Sequence, residues 1–356
     1  MPFPAPASVP VPGDTGLPKH VQLAAQTRDG LVESIHYGSL IAVAGDAAGT
    51  RTLFSAGDPL APFYPRSSLK PLQAVAMVRA GLDLPTDLLA LTAASHSGAA
   101  MHRSGAARIL DLHGLTSADL ENSTDLPYGT AEREEWLRGG GQPTQLAQNC
   151  SGKHAAMAAT CVINGWPVRG YLETGHPLQQ LVAGTVQELT GEKPAGASTD
   201  GCGTPLFALT LRGMARAFGR LASAGAPDRM AEGDSPARTP EAAVAHAMRQ
   251  HPEMVAGEGR DVTALMRLAP GLLAKDGFEG VQLVGFPDGR ALAVKISDGG
   301  DRARMPVTVH ALKALDVDTA PLAGIATQAV LGGGRPVGLL QATDFLLRPE
   351  TFQGQP

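Results

Sequence analysis

Several short stretches of this chain carry side chains whose types and spacing could do chemistry. In Ser67-Ser68-Leu69-Lys70, a helix would put Ser67 and Lys70 on one face within reach of each other. Ser68 and Lys70, two apart, would diverge. A serine hydroxyl is a weak nucleophile until a neighbouring base takes its proton, and a lysine amine stripped of water can be that base. The helix N-terminus would add the positive end of its dipole beside a forming oxyanion. Against this stands the plain reading of Ser-x-x-Lys as a helix start with a capping serine.

Ala94-Ser95-His96-Ser97-Gly98 closes an apolar run at 88–94. A polar triplet in such a place often faces a site, the alternative being an ordinary serine-rich turn. Lys275-Asp276-Gly277 puts a lysine before a tight turn, a pattern that a solvated loop lysine shares. Asn149-Cys150-Ser151-Gly152-Lys153-His154 and Thr199-Asp200-Gly201-Cys202-Gly203 place two cysteines in glycine-flanked turns. Their thiolates could chelate zinc, with Lys153 as a further donor once metal binding drives off its proton. The spacing matches no standard finger. Cys161, on an apolar stretch, reads as a core cysteine.

Composition narrows the class. Only seven of the 29 basic residues are lysine. An amine can lose its proton near neutral pH and a guanidinium cannot, so Lys70, Lys153 and Lys275 stand out as candidates for chemistry. With 43% hydrophobic and 18% charged residues and a net charge of −5, the chain reads as a soluble globular protein. It has no electrostatic footprint for nucleic acid or an anionic membrane. No stretch approaches the ~20 apolar residues of a membrane span. The proline-rich start, 1–18, lacks the basic and apolar regions of a signal peptide and reads as a disordered or extended leader. Three cysteines make no disulfide framework, and the expected setting is the cytoplasm.

The elements that must position these residues are partly legible. Residues 31–47 alternate apolar and polar positions and 51–56 continue the pattern after Gly49, which predicts a hairpin. Residues 67–82 predict a helix apolar nearly all round, hence buried, with Pro71 tolerable in its first turn. Further helices are expected at 154–163, 177–189, 205–221, 240–250 and 308–315, and a polar loop at 224–238. The turn Pro287-Asp288-Gly289 between 281–284 and 292–296 predicts a second hairpin. Strands at both ends with helices between imply an α+β layer structure. No linker compels a cut within 19–356, read as one domain.

Taken together and in order, these stretches resemble the asparaginase II family, the thermolabile rhizobial-type L-asparaginases. Gly30-Leu31-Val32-Glu33-Ser34, Pro65-Arg66-Ser67-Ser68-Leu69-Lys70-Pro71-Leu72-Gln73-Ala74 and the run from His251 to Arg260 carry the resemblance with the motifs above, over about residues 20 to 350. It implies a fold similar to serine β-lactamases, penicillin-binding proteins and glutaminases. It also implies two Ser–Lys tandems, Ser67 with Lys70 as nucleophile and base, and Ser95 with Lys275 relaying protons and orienting substrate. By position it assigns Arg66, His96, Asp200 and Arg260 to substrate binding. It implies a zinc held by Cys150, Lys153 and Cys202 with Asp200 beside it, and a homodimer. Two departures stand out: Val262 takes the place of a cysteine found in some relatives, and Ser68 that of the alanine common beside the nucleophile.

The activity so implied is hydrolysis of the side-chain amide of L-asparagine through an acyl-enzyme. The competing enzyme reading is a β-lactamase or penicillin-binding-like acyl-serine hydrolase, which needs a wider cleft. A non-enzymatic zinc-stabilised binding protein is the reading from another class. Thr199-Asp200-Gly201 lacks the Gly-Gly-Thr-rich strand of the common bacterial asparaginases, and Gly184-Thr185-Val186 lies inside an expected helix, unlike the self-cleaving plant type. The sequence leaves asparagine against glutamine open, since one methylene is worth only about 1–3 kcal/mol in a pocket.

Overall fold

The computed structural model describes residues 16–46, 49–224 and 239–347. Most of the expected leader and of the 224–238 loop therefore lies outside the described residues. The strands are β1 (Val21–Arg28), β2 (Leu31–Asp46), β3 (Gly49–Ala56), β4 (Gly196–Thr199), β5 (Pro205–Ala208), β6 (Leu273–Gly277), β7 (Val281–Gly285), β8 (Arg290–Ile296), β9 (Gln328–Gly332) and β10 (Arg335–Ala342). Eight of them form one sheet, ordered β6-β7-β8-β2-β1-β10-β9, with β3 also on β2. Every pairing is antiparallel. The protein is thus α+β, as its pattern predicts.

β2 organises this sheet. Its 16 residues exceed the length of any single neighbour. Leu31–Gly38 pair with β1, and the remainder pairs with β8 on one side and β3 on the other. β1 in turn pairs with β10 (Ala24 opposite Ala342), which brings the first and the last strand side by side.

Both faces of the β7–β8 region are covered. All five residues of β7 are buried without alternation, the pattern of a strand packed on both sides. Gln282 bonds Arg304 of the helix Arg304–Lys313. Gly285, of opposite parity and so on the other face, lies against the helix Leu211–Ala224. Beyond the latter helix stands a helical layer whose most interior members are Lys70–Arg79 and Ser151–Ile163. In the first, Leu72, Ala74, Val75, Ala76 and Met77 are buried on every side, and Pro71 sits at the permitted start.

Two stretches fold differently from their pattern. The expected helix 205–221 begins with a strand: Pro205–Ala208 pair with Gly196–Thr199, and the helix starts at Leu211. The hairpin wins locally because Gly201 and Gly203 allow a tight turn (Gly203 has φ 92°). Thr210 supplies a true cap, its Oγ1 accepting the Gly213 N–H at 3.0 Å. Lys275 lies within β6 rather than before a turn; the turn falls one step later, where Glu279 and Gly280 take positive φ.

Among the described residues no helix is long and apolar enough to cross a membrane. The close helix–sheet contact gives a prediction. A Cβ at Gly285 would stand 2.6 Å from the Phe218 carbonyl oxygen, so Gly285→Ala should cost about 1–3 kcal/mol through overpacking. Urea unfolding measures it, and an unchanged midpoint would contradict this packing.

Candidate active site

Ser67 stands in a short 3-10 turn, Arg66–Leu69, that runs into the helix Lys70–Arg79. Arg66 has φ 52°, a left-handed conformation that costs a non-glycine residue energy and tends to collect at functional sites. The Arg66 side chain holds the turn from outside, Nε donating to Asp200 Oδ1 at 2.8 Å. Ser68 is fully buried and its hydroxyl donates to the Pro65 carbonyl at 2.7 Å. Ser67 instead lines a cleft with Ser95, Tyr128, Asn149, Asp276, Gly277, Phe278 and Asp301.

The opposite wall of that cleft is the sheet edge. β6 pairs only with β7, so its free side faces the serine turn. Gly277 permits the approach: a Cβ there would lie 2.4 Å from the Pro65 carbonyl oxygen and 3.1 Å from the Ser68 nitrogen. The loop carrying Ser95 is pinned by main-chain bonds, Ser95 N–H to Val255 O, His96 N–H to Asn149 O and Ser97 N–H to Ala256 O.

The lysines singled out by residue type are all interior. Lys70 and Lys153 are 1% exposed and Lys275 is 0% exposed. Lys70 Nζ donates to Ser95 Oγ at 2.8 Å and to the Ala94 carbonyl at 2.6 Å. Its hydrogen-bonded serine is therefore Ser95, whereas the spacing alone pairs it with Ser67. Lys275 Nζ bonds Asp276, at 2.5 Å to Oδ1 and 2.9 Å to the carbonyl oxygen. Among the described residues it makes no hydrogen bond to Ser95. Burial pulls the Lys275 amine down to about 8 against the opposing pull of Asp276, with Lys70 and Arg260 adding to the fall. Asp276 is buried too, but the positive charges of Lys275, Arg260 and Arg304 outweigh burial and hold it below the usual carboxylate range.

The remaining expected residues divide by location. Arg260 stands behind the cleft wall: Nη2 donates to Asp276 Oδ2 at 2.8 Å, and the guanidinium lies 4.8 Å from the Tyr128 ring centre. Its Nη1 is buried without a hydrogen-bond partner. His96 points away from the cleft, bonded to Ser151 Oγ at 2.9 Å and stacked on His102. Burial, reinforced by His102 and nearby cations, keeps it neutral. Arg66 lines a neighbouring groove with Tyr64, Thr199 and Glu279. Tyr128, Asn149, Asp276 and Asp301 line the cleft although residue type and spacing give none of them a role. Asn149 and Asp276 stand within the quoted motifs, and that membership is the signal that could have found them.

Cys150, Lys153 and Cys202 converge in the interior. All three cysteines are free and buried. Lys153 Nζ reaches Cys202 Sγ at 3.2 Å and Thr204 Oγ1 at 2.6 Å. A hydrogen bond from Cys150 drives the Cys202 thiol far down, helped by Lys153 and His154 against burial, while the Cys150 thiol is pushed up. Burial pulls Lys153 down, but the charges on Cys202, Cys150 and Asp200 outweigh it and raise the amine. The contacts thus describe a thiolate–ammonium pair beside a thiol. Two sulfurs and an amine converging on one point are a donor set that suits zinc, provided the amine gives up its proton. Among the described residues no cluster of three His, Cys, Asp or Glu side chains could hold a metal, so the third donor here is the lysine.

A family model described as L-asparaginase II matches residues 24–342. No curated protein matches the sequence.

The electrostatics of the lysine–aspartate pair are open to direct test. Nitrogen-detected NMR of the lysine side chains should show Lys275 titrating near 8. Because Asp276 raises the amine, Asp276→Asn should move the midpoint lower still. A midpoint at the ordinary lysine value of about 10.4 would contradict this burial.

Proposed function

The chain belongs to the L-asparaginase II family and is an amidohydrolase of the L-asparaginase type, and from that premise we propose that it hydrolyses L-asparagine through Ser67 as nucleophile. What carries the reading is the meeting of Ser67 and Ser95 in one cleft with Lys70 bonded to the second serine. The cleft encloses about 220 Å³, part of it open to solvent. So narrow a cleft favours a small amide over a fused-ring lactam. The finer fold likeness, to serine β-lactamases and penicillin-binding proteins, belongs to the same proposal. Its support is the serine turn set against a lysine-bearing sheet edge. A homodimer and a cytoplasmic setting rest on the family resemblance and on the free cysteines.

In this mechanism Ser67 Oγ attacks the side-chain amide carbon. Its proton passes to the amine of Lys70, three residues along. Ser95, already bonded to Lys70, hands a proton on to the departing nitrogen, which leaves as ammonia. Water then hydrolyses the acyl-enzyme by the same route in reverse. Backbone N–H groups of the turn carrying Ser67 stabilise the oxyanion, each such donor typically contributing about 2.7–4 kcal/mol in the transition state. Lys275 and Asp276 hold the far wall and its charge in place. The choice of Ser67 over Ser68 is supported by the buried Ser68 hydroxyl donating to the Pro65 carbonyl while Ser67 lines the cleft.

Cys150, Lys153 and Cys202 would hold zinc in this proposal, with Asp200 beside them. The metal would supply Lewis acidity and an open coordination position. With Ser67 as nucleophile, its part is to position substrate or shape the pocket.

The decisive kinetic variant is Ser67→Ala. It should lower ammonia release from L-asparagine by at least about a thousandfold with an unchanged circular dichroism spectrum, and turnover within threefold of the wild type would refute the assignment. Metal analysis tests the second centre. The purified protein should carry about one zinc per chain, and Cys202→Ser should lose it because only two donors remain. Equal zinc in both proteins would place the metal elsewhere.

A further inference from the structure

The charge on the cleft lining points to a further specificity element. Two carboxylates, Asp276 and Asp301, face the cleft, and among the described residues no lysine or arginine side chain lines it. Asp276 is balanced, with Lys275 Nζ at 2.5 Å and Arg260 Nη2 at 2.8 Å. Asp301 is not. Among the described residues its ion-pair contact is Arg304 Nε at 3.4 Å, and that nitrogen makes no hydrogen bond there. Arg304 directs its two terminal nitrogens to Gln282 and Asp261 instead.

The side chain of Asp301 is 52% exposed. It stands just before the helix Arg304–Lys313, on the part of the cleft wall that the serine turn and β6 do not supply. Partial burial raises its carboxyl from the ordinary value, and the charges of Asp276 and Asp261 add to the rise against the opposing pull of Arg304 and Arg260. An under-compensated carboxylate in a small cleft gains from a cation brought in by the ligand, because a charge-assisted hydrogen bond replaces the missing partner.

We propose that Asp301 anchors the α-ammonium group of the substrate, so that the enzyme selects free amino-acid amides over amides that lack this charge. The inference rests on the amidase reading above and adds to it the part of the substrate that the cleft recognises. In a free amino acid the ammonium lies a few bonds from the reacting carbonyl. One small cleft can therefore hold both, since Ser67 and Asp301 line the same space. Asp301 acts in binding and takes no part in proton transfer at Ser67.

The test compares L-asparagine with succinamate, the same amide without the α-amine, in the wild type, Asp301→Asn and Asp301→Glu. The wild type should prefer asparagine. In Asp301→Asn the asparagine-to-succinamate ratio of kcat/KM should fall roughly ten- to hundredfold, the worth of one hydrogen bond to a charged group, and mainly through KM for asparagine. Asp301→Glu should restore part of the preference. A ratio unchanged in Asp301→Asn overturns the proposal. Should the wild type release no ammonia from asparagine, the proposed function falls and calorimetry decides the anchor alone. Wild-type binding of L-aspartate, lost in Asp301→Asn while succinate binding stays the same, supports it; equal binding of L-aspartate to both proteins overturns it.

Discussion

Three lysine side chains end inside this protein, and the rest of the structure depends on how their amines are partnered. An amine buried without partners costs several kcal/mol and simply loses its charge. The fold gives each amine a different answer. Lys70 meets a carbonyl and a serine hydroxyl, Lys275 meets the next residue's carboxylate and carbonyl, and Lys153 meets the Cys202 sulfur and a threonine hydroxyl. Only Lys275 has a carboxylate partner within hydrogen-bonding distance. A lysine bonded to neutral groups keeps the ability to exchange a proton. One bonded to an ionised carboxylate serves better as fixed charge, and one facing sulfur is fitted for a soft cation.

These answers depend on close backbone approaches. Gly277 lets the edge strand β6 come up to the serine turn, and Gly285 lets the sheet sit tight under the helix Leu211–Ala224. The turn itself carries strain at Arg66, compensated by the bond to Asp200. That bond joins the turn carrying Ser67 to the hairpin that presents Cys202. The candidate metal centre and the serine cleft are therefore neighbours in one framework, and a change in the β4–β5 turn reaches Ser67 through a single ion pair.

Charge distribution gives the cleft its character. Lys275, Arg260 and Arg304 lie behind the wall, and the carboxylates of Asp276 and Asp301 face inward. Cations placed behind a carboxylate keep it ionised without blocking its approach to a ligand. The substrate's own charge then completes the balance.

By itself the sequence determined the residue types able to do chemistry and the local pieces that carry them. Ser67 and Lys70, three apart, fall on one side of a helical turn, the β2–β3 hairpin follows from alternation and the β7–β8 hairpin from the turn Pro287-Asp288-Gly289, and the all-round apolar pattern after Lys70 announces a buried helix. Local pattern misread 205–208 as helix, since pairing with Gly196–Thr199 is a contact that periodicity along one segment does not encode. The partners were decided only by tertiary structure. Spacing joined Lys70 to Ser67, yet its bonded hydroxyl is that of Ser95, from a loop 25 residues further along the chain. Asp301 gained its place in the cleft from a segment that carries no motif. Hydrogen bonds and unbalanced charges depend on distances between groups far apart in the chain, and those distances exist only once the sheet edge, the serine turn and the helical layer have closed around one cavity.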